Sequence, residues 1–134
     1  RKEKKVVLVI TDGEDNSSIQ KLEHLVKVSM QNEVLVYAVG FLAEEAPDAA
    51  RRARRDLDAL TRSTGGQAWY PKTVSEIEPI ALAIAHEIRN QYVIGYHPAN
   101  ESADGSFRRI RAEVDVPGAL VRTRAGYYAT PRVN

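Results

Sequence analysis

The chain reads as an α/β domain built on a parallel sheet, followed by an antiparallel three-stranded extension. Three observations predict this class. Two runs, Val6 to Thr11 and Val34 to Gly40, are apolar or β-branched without alternation, the pattern of strands buried on both faces. Segments with helical apolar spacing alternate with these strands as far as Asn90, which implies parallel pairing with right-handed crossovers. Beyond Asn90 the period becomes two, as in half-exposed antiparallel strands. Residues 1–90 therefore form the α/β part, and residues 91–134 a β extension packed on it.

Each element has its own signal. Ser17-Ser18-Ile19-Gln20 is a capping box that opens a helix to about Asn32, with Ile19, Leu22, Leu25, Val26 and Met30 on its apolar face. After the second strand and a loop at Ala43 to Pro47, a helix runs from about Asp48 to Ser63. Thr64-Gly65-Gly66 ends it with a left-handed cap. Gln67 to Tyr70 is a short third strand. Ser75-Glu76-Ile77-Glu78 is a second capping box, opening a helix to about Asn90 with Ile77, Ile80, Ala81, Ile84 and Ile88 inward. The three later strands centre on Tyr92–Tyr96, Ile110–Val116 and Val121–Ala125, joined at Asn100–Ser106 and at Pro117-Gly118-Ala119.

Composition narrows the function. The 134 residues suffice for one ordinary core, and 19 basic against 18 acidic residues give a net charge of +1, unlike a dedicated nucleic-acid binder. There is no cysteine, hence no disulfide and no thiolate metal site. No apolar run approaches the roughly 18 residues of a membrane segment. The chain opens on Arg1 rather than Met, as a segment of a longer protein would.

The first strand ends on Thr11-Asp12-Gly13, and in open α/β sheets ligands gather beyond the carboxyl ends of strands. Asp12 is thus a candidate ligand for a hard cation such as Mg²⁺ or Mn²⁺; the alternative is a turn cap before the helix. Val9-Ile10-Thr11-Asp12-Gly13-Glu14-Asp15 resembles the fourth strand and loop of a von Willebrand factor type A domain. Val34 to Phe41 and Leu57 to Gly66 are similar to the next strand and helix of that family. Gln91 to Tyr96 and Arg122 to Tyr128 are similar to an extension in its acidobacterial-type members.

The resemblance covers only the later half of that domain, so it implies half of a doubly wound, Rossmann-like sheet. It also implies a protein-binding role, a metal-ion-dependent adhesion site in which Asp12 is one ligand, and relatives that are often exported. The family's Asp-x-Ser-x-Ser motif is missing: Asp15-Asn16-Ser17-Ser18-Ile19 and Asp104-Gly105-Ser106-Phe107-Arg108 both break it. The expectation is therefore a non-catalytic protein–protein interaction module that holds no metal tightly. A Mg²⁺- or Mn²⁺-dependent adhesion module completed by upstream ligands is the second reading, and a hydrolase with Asp at a strand end the third.

Other chemistries find weaker footing. His24, His86 and His97 share no i, i+4 spacing, which disfavours zinc. No Gly-x-Ser-x-Gly elbow occurs, and Ile10 occupies the place a haloacid-dehalogenase-type nucleophile would need. Arg51, Arg52, Arg54 and Arg55 form a basic face, with Asp48, Asp56 and Asp58 near to offset it. Tyr92, Tyr96, Tyr127 and Tyr128 suit either packing or an interface.

Two structural expectations remain. The strand at 6–11 lacks a neighbour on one side, so a second copy (a homodimer) or a C-terminal strand of the same chain should cover it. In the last hairpin, Gly118-Ala119 as a two-residue turn would set Asp115 opposite Arg122 and Glu113 opposite Arg124. A Pro117-Gly118 turn would slip the pairing by one and face Arg111 with Arg124.

Overall fold

The computed structural model describes residues 4–12 and 19–131. Its main sheet has three parallel strands in the order β1 (Lys5–Thr11), β2 (Val34–Gly40), β3 (Ala68–Trp69). Helices α1 (Ile19–Gln31), α2 (Pro47–Thr64) and α3 (Ile77–Arg89) alternate with them, and a separate antiparallel pair, β4 (Phe107–Arg109) and β5 (Gly126–Tyr128), follows. The predicted opening cap at Ser17-Ser18 lies outside the described residues.

Strand β2 is the centre. Val36, Tyr37, Ala38 and Val39 are buried, and successive side chains enter opposite layers. Tyr37 and Val39 join Ile84 of α3 in one core, with Ile80, Ile88, Trp69 and Val6 packed around it. On the other face, Gly40 lies against Leu57 of α2 and Gly66 against Val36. α1 packs beside α2.

The end of α2 is fixed with unusual economy. Gly65 takes φ 92, and the Gly65 and Gly66 N–H groups donate to Arg62 O and Thr61 O, the paired bonds of a Schellman cap. Pro47 sits in the first turn, where its missing N–H costs nothing. The even-numbered backbone groups of β2 point toward β3, as Ala38 N donating to Gln67 O shows. β3 has only two residues and does not reach Val36. There the Thr64 hydroxyl accepts from Val36 N at 3.1 Å, in the place of a strand bond.

Several sequence expectations need correction. β1 is not buried on both faces: Val7, Leu8 and Ile10 are 47, 46 and 65% exposed. Among the described residues it pairs with β2 alone, and an unalternating apolar run carries no sign of which place in a sheet it takes. The apolar face of α1 is likewise only partly used, since Met30 is buried and Leu25 half exposed. Before α3 the N-cap position is taken by Glu76 rather than Ser75, and without a side-chain cap bond to the helix. Its carboxylate accepts from Lys72 N and from the Thr73 hydroxyl, both at 3.2 Å, closing a 3₁₀ turn at Val74–Glu76 ahead of the helix.

The extension departs most. It holds two short strands, not three, and residues 91–97 join neither sheet. The pairing is Phe107↔Tyr128, Arg108↔Tyr127 and Arg109↔Gly126, continued by Ile110 N donating to Ala125 O at 3.0 Å. That is the slipped register. Ala119 N donates to Val116 O across Pro117-Gly118, with Gly118 at φ 76, as a type II turn requires. The charge argument for the other register fails because the arginines look elsewhere. Arg122 pairs with Glu87 of α3 and donates to Gln67, and Arg124 lies 3.7 Å from Glu33. Partners on the α/β body replace partners across the hairpin. The C-terminal strands β4 and β5 pair with each other, and among the described residues neither pairs with β1.

The junction of α2 and β2 yields a sharp expectation. A Cβ on Gly66 would stand 1.9 Å from Val36 O, which a backbone cannot accommodate without moving. Gly66→Ala should therefore cost about 3 kcal/mol. Thr64→Val, which keeps the shape but orphans the Val36 N–H, should cost about 1–3 kcal/mol. Urea denaturation with unchanged slope would measure both; a loss under ~0.5 kcal/mol for Gly66→Ala would refute the account of this contact.

Candidate functional site

The carboxyl ends of β1, β2 and β3 meet at one rim. An open cleft of about 420 Å³ lies there, lined by Asp12 after β1, Phe41 and Ala43 to Glu45 after β2, and Pro71 to Val74 after β3. Parallel pairing makes this convergence unavoidable, because every strand delivers its following loop to the same edge. Asp12 takes its place through the Thr11↔Gly40 register, with Phe41 N donating to Thr11 O at 2.8 Å. The side chain of Asp12 is exposed.

The rim is acidic on one side and basic at one point. Asp12, Glu44 and Glu45 supply carboxylates, and Lys72 supplies the ammonium. Among the described residues, no three His, Asp or Glu side chains gather closely enough to hold a metal ion. A hard cation held at one carboxylate is weakly bound, since affinity grows with ligand number and charge.

The far wall of the cleft is held from behind. The Tyr70 hydroxyl lies 2.7 Å from Asp58 Oδ1 and 3.0 Å from Arg54 O, both on α2, and the Arg54 guanidinium stacks 4.2 Å over its ring. This ties the Pro71–Val74 loop to the helix. Burial, then the hydrogen bond and charge of Asp58, push the Tyr70 phenol well above its ordinary pKa. Thr73 and Glu76 close the same loop from the other end.

Only part of this was foreseen. Asp12 lies at the predicted place, but Glu44, Glu45, Lys72 and Thr73 were not singled out. The rule that found Asp12 applies equally to the loops after the second and third strands, and would have found them. Of the arginine face of α2, Arg51 pairs with Asp48 and Arg55 with Asp56, whereas Asp58 pairs with Arg62 further along the helix. Exposed pairs of this kind add little stability. His24, His86 and His97 belong to no metal-binding group among the described residues. Tyr128 packs on Phe107 with ring centroids 5.2 Å apart, whereas Tyr92 is 94% exposed.

Comparison with known proteins adds no relative: no family model, no curated protein and no solved structure matches this chain. No helix among the described residues is long and apolar enough to cross a membrane.

Tyr70 makes the loop sensitive to alkali. Its folded-state pKa lies above the ordinary value of 10.0, so the folded chain holds the phenolic proton more tightly than the unfolded one. That contribution is complete below pH 10.0 and is lost as the pH climbs toward the folded-state value. Stability measured by denaturation should fall above that point, and Tyr70→Phe should fall less steeply. Tyr37, also raised chiefly by burial, accounts for part of the remaining slope. Identical alkaline profiles for the two chains would contradict the assignment.

Proposed function

We propose that this chain is a non-catalytic protein-binding module of von Willebrand A type, and that its contact surface is the carboxyl rim of the parallel sheet. The observation that carries the reading is the cleft beyond β1 and β2, where Asp12, Glu44 and Glu45 face a single Lys72 beside apolar Phe41 and Val74. Carboxylates beside accessible apolar side chains suit a partner segment that brings arginine or lysine next to an aliphatic side chain. The strand order β1-β2-β3, all parallel with helices between, and the position of Asp12 support the family part of the reading.

The second reading, a Mg²⁺- or Mn²⁺-dependent adhesion module, draws on the same Asp12 but requires ligands from outside this sequence. Calorimetry separates the two. An arginine-rich peptide should bind the chain, and Glu44→Lys with Glu45→Lys should weaken it roughly tenfold, with steep salt dependence and unchanged fold. Mg²⁺ and Mn²⁺ should give no submillimolar binding. Submillimolar binding that disappears in Asp12→Ala would favour the second reading, and a peptide indifferent to the Glu44 and Glu45 changes would refute the first.

A further inference from the structure

We propose that the returning arm, residues 120–125, is a strap latched to the α/β body by charge, which opens as ionic strength rises while the body stays folded. The strap lies at the amino end of the sheet, away from the rim, and stands independently of what binds there.

The ties of the arm are polar. Arg122 pairs with Glu87 of α3 and donates to Gln67, just ahead of β3. Arg124 Nη1 lies 3.7 Å from Glu33, just ahead of β2. Ala125 N adds a backbone bond to Ser63 O at 3.0 Å. Because β2 and β3 run parallel, Glu33 and Gln67 stand at the end of the sheet opposite the cleft.

Apolar attachment is slight. Residues 111–123 are exposed throughout, Leu120 included. The core around Tyr37, Val39 and Ile84 draws its packing partners from no further along the chain than Ile88. The body is thus held by burial, and the arm by charge, which salt screens. Both ion pairs keep contact with solvent, their side chains being 24 to 42% exposed, so counter-ions reach them. On either side of the arm, Gln91 donates to the Tyr37 hydroxyl at 2.9 Å and Tyr128 lies under the Lys27 ammonium. These contacts keep both flanks anchored when the arm lets go.

A second observation comes from the backbone. Glu33 has φ 55, and among the described residues it is the one residue other than glycine with positive φ. It follows the end of α1, a place where glycine is the ordinary occupant. A residue with a Cβ is strained there, and what its side chain brings is the carboxylate that faces Arg124. Opening leaves Glu33 and Glu87 without their arginines, an acidic surface at the amino end of the sheet.

Hydrogen exchange on the full chain reads the strap through the Ala125 N–H and the body through the Ala38 N–H, which donates to Gln67 O. Raising sodium chloride from about 0.1 M to about 1 M shortens the screening length from about 10 Å to about 3 Å. Ala125 protection should then fall roughly tenfold, with Ala38 changed by less than about twofold. Arg122→Ala should show the low Ala125 protection already in dilute salt. Glu33→Gly separates a latch from general packing. It relieves the backbone, so Ala38 should hold or gain protection while Ala125 loses roughly threefold or more. Ala125 and Ala38 responding together, or Ala125 indifferent to salt, overturns the proposal. So does Glu33→Gly with Ala125 protection intact. If Arg122→Ala unfolds, the salt series on the unmodified chain still decides.

Discussion

Everything in this fold hangs on the place where the end of α2 meets β2. Thr64 closes the orphan N–H of Val36, Gly66 lets the two backbones touch, and Gly65 turns the chain so that β3 can start alongside. The same helix end receives the C-terminal arm: Ala125 N donates to Ser63 O, and a Cβ on Gly65 would meet Arg124 N at 2.8 Å. Four consecutive residues, Ser63 to Gly66, thus connect a helix, a central strand and the returning tail. Their side chains are small or short and polar because the space is already filled by backbone.

The parts of the fold that were legible in the sequence are those dictated by local chemistry. Thr64-Gly65-Gly66 announces a left-handed cap because φ near +90° is costly for any residue with a Cβ. The apolar spacing of Ile80, Ile84 and Ile88 announces the core face of α3, and these three do line it. What sequence could not supply is the count of neighbours. Val6 to Thr11 carries the same pattern whether two strands flank it or one. Among the described residues it has one, and Val7, Leu8 and Ile10 are exposed.

The hairpin fails to follow the predicted register for a related reason. Cross-strand charge pairing decides a register only when the charges have no better partner. Arg122 and Arg124 find Glu87 and Glu33 on the body, at the cost of the ladder beyond Ile110. Arg108 behaves likewise, reaching back to Ser102 O at 2.7 Å and to Asp104 at 3.5 Å, so it organises the preceding loop rather than a strand. Arginine in this extension works as a tie between segments distant in space. An argument restricted to two facing strands omits the larger electrostatic term.

The rim and the edge pose opposite problems to a reader of sequence. At the rim the topology rule is strong, because parallel strands must deliver Asp12, Glu44 and Lys72 to the same side, but the rule is silent on whether the delivered side chains converge. They line a cleft, no three metal-ligating side chains gather among the described residues, and carboxylates beside apolar Phe41 and Val74 suit a broad charged surface. At the edge the chemistry is plain and the topology is missing: an apolar strand with outward backbone groups is satisfied only by another strand.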